Sequence, residues 1–305
     1  MRKYKVDIII PTYQPDEKFH RLMKKLQKQT YPIEKILIMN TEISVFPSKD
    51  YENIPNVEIC HLSKQEFDHG GTRDRAASLV NSELMLFMTQ DAVPADEYLV
   101  ESLVAAFDDE RVMAAYARQL PNKDCKLIER YTRRFNYPSE SCMKSKVDLP
   151  HLGIKTFFCS NVCAMYRKSA YVKWGGFEKR TIFNEDMIFA GKLVQAGGSI
   201  AYVAEAKVIH SHNLGNIEQC KRNFDLAVSQ VNQPQIFADV KSESEGLRLV
   251  KRTARYLCKS GRPWLVISLV ITSGCKLLGY SLGKRYQKLP KWLILKLTLN
   301  KTYWS

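Results

Sequence analysis

Apolar and amphipathic stretches alternate along the first 120 residues of the chain. Short apolar runs predict buried strands at 6–10, 35–39, 57–61, 84–88 and 112–117. Between these runs, apolar side chains recur at helical spacing, which predicts helices at 16–29, 73–81 and 96–107. The first strand is expected to end at Pro11. Strands and helices that alternate in this way form a mostly parallel sheet covered by helices, so the pattern predicts an α/β fold.

The rest of the chain divides into a less regular middle part and a distinct C-terminal part. The middle part predicts further elements: a strand at 156–167, a turn at Gly175 and Gly176, a helix at 186–196 and a strand at 199–203. Gly197 and Gly198 are placed to stop that helix. Pro234 and the polar run at 241–246 precede the C-terminal part. We therefore expect two domains, at 1–235 and 236–305.

Positive charge is concentrated in the C-terminal part. The formal net charge of the chain is +14, and no acidic residue follows Glu245. Basic residues beyond that point account for 13 of the excess charges: Arg248, Lys251, Arg252, Arg255, Lys259, Arg262, Lys276, Lys284, Arg285, Lys288, Lys291, Lys296 and Lys301. They alternate with apolar segments around Trp264 and Trp292. An anionic membrane surface attracts such basic side chains and accepts the apolar ones, whereas a nucleic-acid-binding tail would be more polar. The sequence therefore predicts binding to a membrane surface and no nucleic-acid partner.

Two helical stretches in this part refine that prediction. The basic residues of 248–259 follow steps of three and four, so they are expected to share one helix face, for which a solvated basic face is the equally common alternative. The stretch 264–283 approaches the ~20 apolar residues of a membrane span, but Ser273, Lys276 and three glycines interrupt it. A helix that lies in the membrane interface is therefore favoured over a spanning one. The eight cysteines form no CxxC pair, which predicts reduced thiols in the cytosol.

Three short segments carry side chains suited to chemistry. Asp91 follows the strand at 84–88, at the carboxyl edge where open α/β sheets bind ligands, although a turn or helix-capping role is about as common. Glu185 and Asp186 precede a helix, where capping is the ordinary role of an acid. His210 and His212 follow a strand, and alternation places both imidazoles on one face, where they can bind a metal or phosphate. A surface or core role is the ordinary alternative for a histidine.

The segment 68–74 joins a strand region to a helix. Gly70 and Gly71 permit close approach of the backbone, and Arg73 can pair with a phosphate. The segment lacks the GxGxxG spacing of a dinucleotide fingerprint and the GK[ST] of a phosphate-binding loop. A dehydrogenase or a nucleotide hydrolase is therefore disfavoured.

Taken in order, these segments resemble inverting glycosyltransferases of family 2, which have the nucleotide-diphospho-sugar transferase fold known as GT-A. The resemblance covers roughly residues 5–215 and rests on Ile8-Ile9-Ile10-Pro11-Thr12-Tyr13, Gly71-Thr72-Arg73-Asp74, Gln90-Asp91, Gly175-Gly176-Phe177 and Glu185-Asp186. Within the family, residues 67–73, 90–94, 116–121 and 210–212 resemble the bacterial rhamnosyltransferase branch, which builds O-antigens, capsules and rhamnans from dTDP-L-rhamnose. The expected architecture is a Rossmann-like, mostly parallel central sheet with a C-terminal helical extension that associates with the membrane.

The resemblance implies a role for each candidate residue. Asp91 is expected to hold a Mg²⁺ or Mn²⁺ ion on the donor diphosphate, with His210 or His212 completing the metal site. Asp186, beside Glu185 in the catalytic pair, is expected to take the proton of the acceptor hydroxyl in a single inverting displacement. The residues expected around the donor are Pro11, Thr12, Tyr13, Asn40, Arg73, Gln90 and Asp91. The expected acceptor is a lipid-linked saccharide at the cytoplasmic face of the cell membrane.

Two positions depart from the family pattern. The usual Asp-x-Asp is Thr89-Gln90-Asp91, so that one carboxylate remains, and Asn40-Thr41-Glu42 stands where many relatives place an aspartate for the nucleobase. Two alternatives therefore stay open. One is a family-2 transferase that uses a UDP-hexose or UDP-N-acetylhexosamine, and the other is a non-catalytic membrane-bound scaffold. The presence of Glu185 and Asp186 favours an enzyme.

Overall fold

The computed structural model describes residues 3–238, 240 and 243–304, with the backbone alone for 243–245. The chain forms two compact units. The first contains the chain up to Asn122 together with Tyr137–Arg180 and Glu185–His210. The second contains Lys123–Asn136, Thr181–Asn184 and the chain from Ser211 onward.

One mixed sheet of nine strands organises the first unit. The strands are β1 Val6–Tyr13, β2 Lys35–Thr41, β3 Val57–Leu62, β4 Leu84–Met88, β5 Val93–Pro94, β6 Val112–Leu120, β7 Cys142–Lys144, β8 Cys163–Arg167 and β9 Ser199–Ile209. Their order in the sheet is β3-β2-β1-β4-β8-β6-β9-β5, and β7 pairs with β9. This confirms the predicted α/β fold. The sheet itself is mixed, because four strand pairings are parallel and four are antiparallel.

The direction of the strands determines where functional side chains collect. Strands β1, β2, β3 and β4 pair in parallel. Strands β6 and β9 are parallel to each other, and both β4 and β6 pair with β8 in the antiparallel sense. Six strands therefore point the same way, and their carboxyl ends lie along one edge of the sheet together with the start of β8.

Helices cover the sheet and build the second unit. They are α1 Glu17–Leu26, α2 His69–Leu79, α3 Leu99–Ala105, α4 Leu127–Asn136, α5 Leu149–Leu152, α6 Lys168–Lys173, α7 Glu185–Gln195, α8 Asn216–Val231, α9 Pro234–Phe237, α10 Glu243–Lys259, α11 Leu265–Gly283 and α12 Lys291–Leu297. In α1, the Asp16 carboxylate accepts hydrogen bonds from the first-turn N–H groups of Lys18 and Phe19, which starts the helix. Phe19 and Leu22 then pack against Ile8 of β1 in the main core.

Several predicted strand boundaries were wrong. Strands β6 and β9, for example, extend to Leu120 and Ile209, beyond their predicted ends at 117 and 203. Strand β1 continues through Pro11, which stands opposite Met39 of β2. Pairing with β4 covers only Val6–Ile9, so the missing N–H of the proline leaves no gap in the ladder on that side. The strand predicted at 156–167 is instead a 3₁₀ turn over Gly153–Phe157, followed by β8 from Cys163. Phe157 of that turn is apolar and buried like a strand residue, although the backbone there is not extended. An apolar run alone does not distinguish these two conformations.

The second unit is helical. A small core of Ile182, Phe224, Val228 and Ile294 joins α8 to α12. The buried Asp225 carboxylate accepts hydrogen bonds from the Thr298 hydroxyl at 2.7 Å and from the Leu299 N–H at 2.9 Å, which holds the end of α12 on α8. Along α10, the basic side chains from Arg248 to Lys259 are all exposed, as their spacing predicted. By length and composition, α11 is the one helix in the described part of the chain that could cross a membrane.

The predicted domain boundary near residue 235 stays a prediction. Residues 239, 241 and 242 of the polar stretch beside it lie outside the described residues. The compact units divide the chain elsewhere, because α8 and α9 belong with the C-terminal helices. Compactness alone does not test where a membrane-associating region begins.

Candidate active site

The carboxyl edge of the sheet collects most of the predicted site residues. Strand β1 ends at Tyr13, β2 ends just beyond Asn40, and Asp91 follows β4 by three residues. His210 comes directly after β9. Because these strands are parallel, residues far apart in the sequence meet at one edge.

Asp91 is held by a neighbour that replaces the first acid of the family pattern. The Thr89 hydroxyl donates a hydrogen bond of 2.9 Å to Oδ1 of Asp91. The other oxygen, Oδ2, lies 3.5 Å from Nε2 of His210, and both side chains are largely buried. The Thr89 hydroxyl therefore orients the Asp91 carboxylate. It does not add the negative charge that the first aspartate of an Asp-x-Asp segment would add.

The contact between Asp91 and His210 depends on the tautomer of the imidazole. Nε2 of Gln119 donates to the Ser160 hydroxyl at 3.1 Å, which leaves Oε1 of Gln119 facing Nδ1 of His210 at 3.0 Å. Since an amide oxygen only accepts hydrogen bonds, Nδ1 of His210 carries a proton. Nε2 then faces Asp91 either as the lone pair of a neutral imidazole or as the second N–H of an imidazolium. A shared proton or a shared cation would each stabilise this contact.

Asp91 and His210 offer ligand atoms that suit a divalent cation. Oδ2 of Asp91 and Nε2 of His210 lie 3.5 Å apart within the first unit. His212 is two residues further along the chain than His210, and it is exposed. Carboxylate oxygen and imidazole nitrogen are ligands that Mn²⁺ accepts, and Mg²⁺ prefers oxygen. Two of the predicted metal ligands are therefore brought together, and the role of His212 stays a prediction.

Asp186 lies at the start of α7 with both carboxylate oxygens engaged. Oδ2 accepts the N–H of Asn161 at 2.9 Å, and Oδ1 accepts the N–H of Met187 at 2.7 Å. The residue keeps partial solvent exposure, although the groups packed around it remove most water from the carboxylate. This desolvation, followed by the charge of Glu185, raises the pKa of Asp186 to about 7 against the opposing effect of the two N–H groups.

Glu185 and Arg73 form a buried ion pair next to Asp186. Nη1 of Arg73 lies 3.3 Å from Oε1 of Glu185, and each side chain is 8% exposed. Nδ2 of Asn161 donates to the same carboxylate oxygen at 3.2 Å. Nη1 of Arg73 also donates to the carbonyl of His69 at 2.8 Å. These partners tie α2 to the start of α7, and the contact of Arg73 with a donor stays a prediction.

The polar residues at the ends of β1 and β2 are bonded mainly to the protein. Gln90 accepts the Tyr13 N–H at 2.8 Å and donates to the Tyr13 carbonyl at 3.0 Å, so its amide takes the place of a strand neighbour. The hydroxyl of Thr12 donates to Oδ1 of Asn40 at 3.2 Å, and both residues are buried. Nδ2 of Asn40 contacts Nδ1 of His61 at 3.0 Å. These groups shape the edge, and their contact with a donor stays a prediction.

The exposed side of this edge is aromatic and charged. The Tyr13 ring is 39% exposed, while Pro11 behind it is half-buried. Nζ of Lys64 lies 5.1 Å from the centroid of the Tyr13 ring and forms an ion pair with Glu42 at 2.9 Å. A flat exposed ring beside a cation and an anion suits a nucleobase, which stacks on aromatic side chains and hydrogen-bonds at its edge.

Sequence reasoning missed three residues that orient the site. Gln119 accepts a hydrogen bond from Nδ1 of His210, Asn161 contacts both acids at the start of α7, and Thr89 orients Asp91. Gln119 and Thr89 lie within segments already singled out by sequence, but nothing in their spacing pointed to these partners. Asn161 has no local sequence signal, since its partners are more than 20 residues away in the chain.

Comparison with known proteins places the chain among sugar-transferring enzymes. Residues 7–175 match the family described as Glycosyl transferase family 2. The chain is 38% identical to the O-antigen chain rhamnosyltransferase RfbN of Salmonella typhimurium, over 99% of this chain and 96% of that protein. It is also 38% identical to the O-antigen chain rhamnosyltransferase WbaN of Salmonella anatum, over 98% of this chain and 95% of that protein.

A solved structure shares the fold. The mannosyltransferase PcManGT of Pyrobaculum calidifontis, in complex with GDP-Man and Mn²⁺, superimposes with a TM-score of 0.65. The match covers 95% of this chain and 89% of that one at 13% sequence identity. Similarity at that identity supports the fold alone, and the predicted GT-A fold is thereby confirmed.

Proposed function

The chain belongs to glycosyl transferase family 2 and is a glycosyltransferase, and we propose that it transfers L-rhamnose from dTDP-L-rhamnose to a lipid-linked saccharide during O-antigen synthesis. The choice of sugar and pathway is supported by the two rhamnosyltransferases that match it over nearly their whole length. The observation that carries the catalytic proposal is the placement of the Asp91–His210 pair and of Asp186 along one edge of the sheet.

In this proposal, Asp186 is the base. It accepts the proton of the acceptor hydroxyl while that oxygen attacks the anomeric carbon and the nucleoside diphosphate departs from the opposite face, so the configuration inverts. A carboxylate with a pKa near the working pH is a more effective base than one that is always ionised. The N–H groups of Asn161 and Met187 hold its two oxygens, and this fixes the direction of the carboxylate.

Glu185 has a positioning role instead of a reacting one. Its carboxylate is buried and already shared between Arg73 and Asn161. Its charge raises the pKa of Asp186, and its ion pair fixes the start of α7. We therefore assign proton transfer to Asp186 alone, with Arg73 and Glu185 setting its environment.

Asp91, His210 and His212 would hold the divalent ion, Mg²⁺ or Mn²⁺. When bound, such an ion neutralises negative charge on the leaving diphosphate. Gln119 supports this site because its amide oxygen accepts a hydrogen bond from Nδ1 of His210, which directs Nε2 toward Asp91. The carboxylate and imidazole ligands, and the 3.5 Å approach of Nε2 to Oδ2, support a metal here.

The donor nucleoside would lie against the exposed ring of Tyr13, bordered by Pro11 and Thr12. Gln90 keeps the Tyr13 peptide in place through its two hydrogen bonds. Lys64 and Glu42 stand beside the ring and offer a donor and an acceptor to the edge of a base. Asn40 contributes indirectly, because its Oδ1 accepts the hydrogen bond of the Thr12 hydroxyl and so holds Thr12 in place.

The proposed location is the cytoplasmic face of the cell membrane. A lipid-linked acceptor requires an enzyme at the membrane surface, and the thirteen basic residues beyond Glu245 would bind anionic head groups. The apolar residues of α11 would add a hydrophobic contribution.

A donor panel tests the activity directly. Purified enzyme is assayed with dTDP-L-rhamnose, UDP-glucose, UDP-galactose and UDP-N-acetylglucosamine on a lipid-linked acceptor, with Mg²⁺ or Mn²⁺, and the product linkage is determined by NMR. We expect transfer of rhamnose with inversion. Transfer from a UDP-sugar alone would contradict the proposed donor, and the absence of both transfer and donor hydrolysis with every donor would indicate a non-catalytic scaffold.

Variants test the roles of individual residues. Asp186→Asn should lower the turnover number by about 10²–10⁴-fold while donor affinity, measured by calorimetry, stays unchanged. Asp91→Ala should weaken metal-dependent donor binding instead. Asp109→Asn is the matched control because Asp109 forms an ion pair with exposed Arg111 on a turn of the same unit. Wild-type turnover in Asp186→Asn, or unchanged metal dependence in Asp91→Ala, would refute the corresponding role.

A further inference from the structure

The two faces of helix α11 differ in exposure. Large apolar side chains on one face are exposed, at steps of three and four that Gly274 interrupts: Trp264, Ile267, Val270, Ile271, Leu277 and Leu278. Ile267 and Leu277 are 68% and 63% exposed. On the other face, Leu269, Gly279 and Gly283 are buried. A contiguous exposed apolar face of this size marks a surface that binds something.

The buried face is packed tightly against α8. A Cβ added at Gly279 would collide with the backbone carbonyl of Cys220, and one added at Gly283 would collide with that of Phe224. These two glycines, four residues apart, therefore let the two helix backbones approach closely. The face occupied by α8 is unavailable to lipid.

Two polar contacts hold the same face along the length of α11. The Thr272 hydroxyl donates to Oδ1 of Asn216 at 2.8 Å, and the Tyr280 hydroxyl donates to Oε1 of Gln230 at 2.7 Å. Together with the glycine contact, they join α11 to both ends of α8. Helix α8 also carries exposed Glu218 and Arg222. A helix bound in this way cannot enter the hydrocarbon core without drawing those charged side chains in with it.

The ends of α11 favour an anionic partner. Arg262 precedes the helix, Lys284 and Arg285 follow it, and all three are exposed. Trp264 stands at the start of the exposed face, and tryptophan is enriched at the boundary between lipid head groups and acyl chains. An apolar face with basic residues at both ends matches the surface of an anionic bilayer.

We propose that α11 lies in the plane of the membrane interface, with the face from Trp264 to Leu278 inserted among anionic lipids and the opposite face held on α8. The helix thus attaches the protein to one leaflet and does not span the bilayer. This inference rests on the membrane attachment proposed above and deepens it by naming the helix face that binds the lipid.

The test uses the full-length protein and flotation with phosphatidylcholine vesicles, with and without phosphatidylglycerol. Wild type should bind the anionic vesicles more strongly than the neutral ones. Ile267→Asp combined with Leu278→Asp should lower the partition coefficient by about tenfold or more. Val172→Asp is the matched control, because Val172 is a similarly exposed β-branched residue of the first unit, and it should bind within about twofold of wild type.

A second measurement separates interfacial from spanning helices. Cell membranes that contain the wild-type protein are washed with alkaline carbonate, which should release an interfacial protein. Retention after the wash would overturn the interfacial placement. If the double variant binds anionic vesicles as strongly as wild type does, the assignment of the inserted face is overturned. If wild type fails to bind anionic vesicles, the membrane attachment itself is overturned. Transfer to a soluble acceptor and a native circular dichroism spectrum verify that the variants are folded.

Discussion

The Arg73–Glu185 pair provides a sharp test of how the site is held together. Arg73→Met removes the guanidinium and keeps a side chain of similar length, so that Glu185 remains as a buried anion with Asn161 as its neutral donor. Both partners are 8% exposed and their charged atoms are 3.3 Å apart. Little solvent is present to replace the lost partner.

The size of the effect follows from this burial. Removing one member of a buried ion pair costs about 3–5 kcal/mol because an uncompensated charge stays inside the protein. For a domain of this size, that loss lowers Tm by roughly 6–20 °C. Arg73→Met with Glu185→Gln removes both charges, so the double variant should recover a large part of the loss, with a coupling energy of about 2 kcal/mol or more.

The pH dependence of catalysis should respond to the loss of Arg73 independently of any change in stability. The Arg73 charge lowers the pKa of Asp186, so its removal should raise that pKa further and move the acid limb of the pH–rate profile to higher pH. Urea unfolding measures the first effect, and kcat/KM against pH measures the second. Arg111→Met is the control, because Arg111 pairs with Asp109 in solvent and its loss should cost less than about 1 kcal/mol.

Two results would refute this reasoning. One is an unfolding free energy for Arg73→Met within about 1 kcal/mol of wild type, which would mean that the pair is effectively solvated. The other is a double variant whose loss equals the sum of the two single losses, which would mean that the two charges do not interact.

Three further predictions follow from individual contacts. Transfer should fall as the pH drops through about 7, since Asp186 must be ionised to accept a proton and its pKa is raised; a flat rate profile between about pH 5.5 and 8.5 would contradict this. Burial lowers the pKa of Lys144 to about 8, so the unfolded lysine binds more protons than the folded one above that pH. The free energy of unfolding should therefore rise relative to Lys144→Met between about pH 8 and 10, and equal pH dependence of the two proteins in urea titrations would exclude the effect. Gly176→Ala should cost more than about 2 kcal/mol, because its φ is +63° and the new Cβ would press on the Tyr171 ring. Gly175→Ala has a similar φ of +79° with open space around it, so it isolates the backbone strain of about 1 kcal/mol.

Local patterns predicted most of the fold. Strands β1, β2 and β4 are largely buried and appear in the sequence as mainly apolar runs, and α1 was apparent from the spacing of Phe19, Leu22, Met23 and Leu26. These signals depend only on the period of side chains along one element. The wrong boundaries at Pro11 and at 156–167 depend on neighbours distant in sequence. Pro11 is tolerated because β4 has stopped pairing there, and the turn before β8 is buried by other elements.

The candidate site was predicted as a set of residues and assembled only by the tertiary structure. Sequence alone indicated that Asp91, Asp186 and His210 lie at the ends of strands or helices. It contained no sign that Gln119 would contact His210, or that Arg73 would form an ion pair with Glu185. Such pairings join elements 90 or more residues apart, and the packing of whole strands decides them.

For the C-terminal part, too, some properties were determined by the sequence and others by the tertiary structure. The sequence determined its charge, since basic residues without acids are visible in the composition itself. Its length and hydropathy would allow α11 to span a membrane, while Ser273, Lys276 and the glycines favoured a position in the membrane interface. The tertiary structure distinguishes the two faces of that helix, because Gly279 and Gly283 bring it against α8 and leave Ile267 and Leu278 facing outward. Helix periodicity fixes which residues share a face, whereas the face that is buried depends on a partner elsewhere in the chain.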